Sequence, residues 1–128
     1  MKFGWTIIYV RDVQQSLNFF EKAFGLKIKT FQENFYGELD TGETTLAFVS
    51  HEMAEASYPG GYIPADQNPD KPVGVKISFV VENMDQAYSQ AISAGAIPIQ
   101  MPIQKPWGLV AYLHCLSGVI VELFVPAS

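Results

Sequence analysis

The chain has a single cysteine, Cys115, in 128 residues. That excludes an internal disulfide and points to a reducing, cytoplasmic setting. Charge is scarce at 16% of residues, and positive charge scarcer, with eight Lys and Arg against thirteen Asp and Glu. The basic residues are scattered without a stripe, which argues against nucleic acid, whose phosphates need clustered cations. A net charge of −5 tolerates or favours a cationic ligand, although it also serves solubility alone. No apolar run approaches the length of a membrane span, and residues 1–5 lead straight into a strand pattern. Neither a membrane segment nor a signal peptide is expected. Phosphate loops and glycine-rich dinucleotide fingerprints are also missing. His51-Glu52-Met53-Ala54-Glu55 lacks the second histidine of a zinc-protease helix, so His51 and His114 read as structural.

What is present is a globular balance, 48% hydrophobic, in a length that makes one domain and buries roughly two-thirds of its unfolded surface. The chain also repeats itself. Ile7-Ile8-Tyr9-Val10-Arg11-Asp12-Val13, a helical pattern and Phe24-Gly25-Leu26 are echoed by Ser78-Phe79-Val80-Val81-Glu82-Asn83-Met84, a helical pattern and Ala94-Gly95-Ala96. Tyr36-Gly37 answers to Trp107-Gly108, and Leu46-Ala47-Phe48-Val49 to Glu122-Leu123-Phe124-Val125. Two copies of one unit imply a pseudo-symmetric fold, with chemistry sought at equivalent positions.

Residues 6–10 are β-branched and aromatic and predict a strand. Asp12 is placed to cap a helix whose Val13, Leu17, Phe20 and Phe24 form one apolar stripe, stopped by Gly25. Strands are expected over 27–32, 35–40 and 44–49, the last two joined by a turn at Asp40-Thr41-Gly42. The second unit predicts a strand over 75–81, a helix capped by Asn83 and ended by Gly95, and strands over 97–101, 109–115 and 119–125. The fold class is therefore α+β: two tandem β-α-β-β-β units, about 3–50 and 75–126, in one domain spanning 1–128. Between them, 51–74 carries Pro59, Gly60, Gly61, Pro64, Pro69, Pro72 and Gly74 and reads as an irregular linker. Tyr58 and Tyr62 could still fold over a site.

Val10-Arg11-Asp12-Val13 with Ser16-Leu17-Asn18-Phe19-Phe20 and Phe24-Gly25-Leu26, then Lys105-Pro106-Trp107-Gly108 and Gly118-Val119-Ile120-Val121-Glu122-Leu123, carry a resemblance across essentially the whole chain. In this order and spacing they resemble the vicinal oxygen chelate superfamily, which includes glyoxalases, bleomycin-resistance proteins, fosfomycin-modifying enzymes and extradiol dioxygenases. The resemblance implies that each unit curls into half of an open barrel around a cavity for metal and substrate. It also implies metal ligands on the first and last strands of each unit, and a homodimer. Counted from Asp12 and Asn83, the first-strand positions fall on Trp5 and Lys76; matched through Leu46-Ala47-Phe48-Val49 and Glu122-Leu123-Phe124-Val125, the last-strand positions fall on Leu46 and Glu122. Trp and Leu do not ligate divalent metals, and Lys is protonated near neutral pH. No metal and no cofactor are expected, and Lewis-acid chemistry loses its ligands.

Glu122 stands in an apolar run, where a carboxylate is unusual. It either contacts a ligand or pairs with Lys76 across the cavity, and the two readings are compatible. Such pairing would hold Lys76 charged, against a role as a Schiff-base or proton-transfer lysine. Trp5 and Trp107 are the leading recognition residues, with core packing the alternative for each, and Phe35, Tyr36 and Phe48 extend the same aromatic wall. The function this supports is metal-independent sequestration of a small organic molecule in an aromatic-lined cavity. The alternatives are a metal-dependent glyoxalase, lyase, isomerase or dioxygenase with ligands elsewhere, and a regulatory subunit that binds protein.

Overall fold

The computed structural model describes residues 1–67 and 70–128; Pro69 of the connecting stretch lies outside them. The first unit runs β1 (Trp5–Val10), α1 (Val13–Phe24), β2 (Ile28–Gln32), β3 (Tyr36–Leu39) and β4 (Thr45–Ser50). The second runs β5 (Lys76–Val80), α3 (Met84–Ser93), β6 (Ile97–Lys105), β7 (Gly108–His114) and β8 (Ile120–Pro126). Each forms a four-stranded mixed sheet, ordered β1-β4-β3-β2 and β5-β8-β7-β6. The first strand of each unit runs parallel to the last, and the other pairs are antiparallel.

Both long helices start where their caps require. Asp12 Oδ1 accepts from the Gln15 N–H at 2.9 Å, and Asn83 Oδ1 from the Gln86 N–H at 3.1 Å, satisfying donors that a helix start leaves open. Gly25 ends α1 in the left-handed region at φ 70°. The apolar stripe of α1 lies on its own sheet, with Phe20 and Phe48 rings 5.1 Å apart. Gly37 admits this approach, because a Cβ there would run into Leu17 and Val13. At the end of α1, Phe24 meets Phe79 of the second unit with centroids 5.1 Å apart. α1 also packs against α3, where Gln90 Nε2 donates to the Lys22 carbonyl at 2.9 Å. One hydrophobic core therefore spans both units on the helix side of the sheets.

Strand alternation sends every second residue to the other face. In β1, Ile8 and Val10 are buried with the helices, whereas Trp5, Ile7 and Tyr9 lie on the opposite, open face. β6 is the outer edge of the second sheet; it is longer than its apolar pattern predicted, contains Pro98 and Pro102, and shifts register twice against β7.

The stretch expected to be irregular is partly ordered into α2 (His51–Glu55) and a 3₁₀ turn at Ala65–Gln67. Ser50 caps α2 through the Met53 N–H at 3.1 Å. The turn reaches the second unit at Gly118, whose φ of 82° and close approach to the Ala65 carbonyl leave no room for a side chain.

Candidate functional site

The open face of the second sheet carries a built polar cluster. Ser78, Glu122 and Tyr112 stand in one cross-strand row. Glu122 Oε2 accepts from Lys76 Nζ at 3.0 Å and Oε1 from Ser78 Oγ at 2.6 Å. Lys76 also lies 5.6 Å from the Tyr112 ring centroid, a cation–π distance. Burial alone would raise the Glu122 pKa, but hydrogen bonds from Ser78 and Lys76, the lysine's charge and Tyr112 hold it below the ordinary range. The ion pair expected from the repeat count is therefore formed. Its lysine is 46% exposed and its carboxylate only 8%.

The equivalent row of the first sheet is Ile7, Ala47 and Glu38. Here the carboxylate sits on β3 instead of β4. Glu38 Oε2 accepts from Trp5 Nε1 at 3.2 Å and from the Tyr36 hydroxyl at 2.5 Å, and Oε1 from Thr30 Oγ1 at 3.3 Å. Tyr36 contributes most to lowering the Glu38 pKa, against a smaller cost of burial. Burial and the same contact push the Tyr36 hydroxyl up to about 12. Glu38 was not singled out from sequence, yet it stands two residues after Tyr36, on the same face of a period-two strand.

The strand pairing corrects one position. Ile7 pairs with Ala47 and Ser78 with Glu122, so Ala47 and not Leu46 is the counterpart of Glu122. Leu46 points into the core. The echo of Tyr36-Gly37 in Trp107-Gly108 also shifts, since Tyr36 pairs with Val49 and its register counterpart Val110 with Phe124. At the four positions where the resemblance places metal ligands, the chain thus has Trp5, Ala47, Lys76 and Glu122. One carboxylate, already bonded by an ammonium and a hydroxyl, does not fit a divalent metal, which needs several anionic or imidazole donors. Among the described residues no group of three or more His, Cys, Asp and Glu gathers closely enough to hold one.

The other candidates separate. Trp5 stands on the open face, 59% exposed. Trp107 is 57% exposed at the β6–β7 turn; neighbouring Gly108 pairs with Pro126, four residues along β8 from Glu122, or about 14 Å at ~3.4 Å per residue. Trp107 is thus not brought to the polar cluster of its own unit. Phe35 lies in the β2–β3 turn and is exposed, whereas Phe48 is fully buried against Phe20.

Two hollows lie between the units. A crevice of about 300 Å³ is lined by Thr6, Thr41, Thr45, Leu46, Ile77 and Ser78 among others, so Ser78 joins it to Glu122. A second, of about 250 Å³, borders Arg11, Asp12, Asp66, His114 and Cys115. Burial pushes the Cys115 thiol up to about 12, leaving little thiolate near neutral pH.

The connecting stretch closes over the end of β1. Tyr9 and Tyr58 share a short hydroxyl–hydroxyl hydrogen bond, and the Tyr62 ring packs on Tyr9 with centroids 5.1 Å apart. His51 Nδ1 lies 2.6 Å from the Tyr62 hydroxyl and Nε2 2.8 Å from Asp66 Oδ1. A neutral His51 protonated on Nε2 satisfies both. Asp66 Oδ2 also accepts from the Arg11 N–H at 3.0 Å. This clamp was not legible in the sequence, because its partners lie up to 55 residues apart.

Solved structures share this architecture. A hypothetical protein, SA1046, from S. aureus superposes with TM-score 0.80 at 22% identity, covering 98% of this chain and 94% of that one. A glyoxalase/bleomycin resistance protein/dioxygenase family enzyme from Burkholderia phytofirmans gives 0.81 at 19%, covering 99% and 100%. A glyoxalase-related enzyme from Fulvimarina pelagi gives 0.80 at 16%, covering 98% and 88%. No curated relative matches the sequence significantly. The family model for the Glyoxalase/Bleomycin resistance protein/Dioxygenase superfamily matches residues 2–119. With nearly the whole length matched and the paired β-α-β-β-β sheets in place, the chain belongs to that superfamily.

Proposed function

We propose that this protein binds a small organic molecule without a metal, on the open faces of its sheets, and that two copies pair to enclose it. The observation that carries this reading is the residue set Trp5, Ala47, Lys76 and Glu122 at the places where the superfamily puts metal ligands. An exposed indole and an ion pair with a half-exposed lysine suit recognition by stacking and charge, while Ala47 is fully buried beneath them. They do not suit Lewis-acid activation of a substrate oxygen.

Around that set the faces offer apolar area with few polar groups, the usual make-up of a small-molecule site. Trp5, Ile7, Val80, Ile103 and Trp107 are all substantially exposed in the single chain. Such area invites either a ligand or a second copy, and pairing is common in the superfamily. Trp107, remote from Glu122 within one chain, would serve as a wall contributed at the rim.

The test combines metal content with ligand binding. Untagged protein incubated with zinc, nickel, manganese and iron(II) and then dialysed should retain less than about a tenth of an equivalent, the level of stray contamination. In a thermal-shift screen of small aromatic compounds, stabilising hits should be unchanged by EDTA. Near-stoichiometric metal surviving dialysis, with hits abolished by EDTA, would sink the proposal and put glyoxalase or dioxygenase chemistry first.

A further inference from the structure

The repeat supplies an internal comparison between its two open faces. In the second unit the row Ser78–Glu122–Tyr112 offers a carboxylate and a ring, and the protein fills that place with its own cation. Lys76 Nζ sits 3.0 Å from Glu122 Oε2 and 5.6 Å from the Tyr112 centroid. In the first unit the row Ile7–Ala47–Glu38 again offers a carboxylate, now with Trp5 at the position equivalent to Lys76. Ring and carboxylate are both present, and the ammonium is not. Among the described residues no Lys, Arg or His lies within ion-pair distance of Glu38; Lys29 acts on it only through its longer-range field.

Glu38 is nevertheless organised as an anion. Three neutral donors, the Trp5 indole, the Tyr36 hydroxyl and the Thr30 hydroxyl, fix its two oxygens. Two of these bonds fall on Oε2 and one, the longest, on Oε1. Oε1 therefore keeps acceptor capacity for another donor. A carboxylate held rigid and ionised beside exposed aromatic surface recognises a positively charged nitrogen through a charge-assisted hydrogen bond and a cation–π contact. A divalent metal is a poor occupant, for a single carboxylate with neutral O–H and N–H donors around it leaves most of the coordination sphere unfilled. The chain's net charge of −5 adds a favourable field for a cation.

We propose that the open face of the first unit binds the charged nitrogen of an organic amine, with Glu38 as its counter-ion and Trp5 and Tyr36 as its aromatic wall. This rests on the small-molecule reading above and names the class of ligand. The second unit, with its place filled by Lys76, holds the uncharged remainder of the ligand or none of it.

The experiment compares 2-phenylethylamine, a cation at neutral pH, with 2-phenylethanol, its uncharged near-isostere. ¹⁵N-labelled protein shows two indole N–H signals, one for Trp5 and one for Trp107, and Trp107→Phe assigns them. The amine should shift the Trp5 signal with at least about tenfold higher affinity than the alcohol, the scale of one charge-assisted contact. That preference should shrink with added salt and vanish in Glu38→Gln. Equal affinities in the unsubstituted protein, insensitive to salt, would overturn the amine preference while leaving small-molecule binding standing. That comparison does not depend on how well the variant folds. No shift of Trp5 by either compound would overturn both the preference and the assignment of this face as a binding surface.

Discussion

At the scale of single residues, the Lys76–Glu122 pair is where structure meets pH. The folded-state pKa of Glu122 lies below its ordinary 4.5, so the ionised form contributes stability above that pH. The contribution is lost as pH falls through the folded-state value. Glu38 is lowered in the same direction, and the two should act together in acid. Lys76 is half exposed, so its share is screened and smaller than a buried pair would give. Lys76→Met should cost about 1 kcal/mol near pH 7 and move the acid-unfolding midpoint upward, because Glu122 loses part of what holds its proton off. Urea melts at neutral and acidic pH measure both. An unchanged acid midpoint in this variant would show the pair to be energetically idle.

At the scale of elements, the connection between the units is a strap fastened at both ends. The Tyr9–Tyr58 hydroxyl bond, the Tyr62 ring on Tyr9 and Asp66 on the Arg11 N–H tie it to the first unit, and the Ala65–Gly118 approach ties it to the second. Gly118→Ala combines a left-handed φ of 82° with overlap on the Ala65 carbonyl. It should destabilise the fold by roughly 1–3 kcal/mol and expose 56–67 to limited proteolysis. Cleavage as slow as in the unsubstituted protein would mean that the strap does not depend on this contact. The strap shows where reading a sequence stops. Helices and strands were legible because Asp12, Asn83 and Gly25 act within three or four residues and apolar periods repeat locally. His51, Tyr62 and Asp66 carry no such local signature; only the closed fold brings them together. The Leu46 misassignment has a different origin. Leu46-Ala47-Phe48-Val49 and Glu122-Leu123-Phe124-Val125 look alike as apolar strings, but a one-residue slip in a strand turns every side chain to the other face. Lys76 escaped it because its place was counted from the cap Asn83, as that of Trp5 was from Asp12, and not matched through apolar strings.

At the scale of the whole molecule, the helices cover one face of each sheet and leave the other open. Val80, at 70% exposure, and Met101, at 66%, are apolar side chains left in water by the single chain. If pairing covers them, light scattering should give twice the chain mass of 14.2 kDa, and Val80→Glu with Met101→Glu should return the particle to that single mass with its circular dichroism intact. A monomer in the unsubstituted protein at micromolar concentration would contradict the pairing. The form such an assembly takes is limited by β6, whose Pro98 and Pro102 withhold backbone donors from the outer rim of the second sheet. A neighbouring chain pairing along that rim would find two backbone donors missing from a strand of nine residues. Along this rim contact is steered to the broad surfaces, where two partners saturate one another, and strand-by-strand propagation loses its template there.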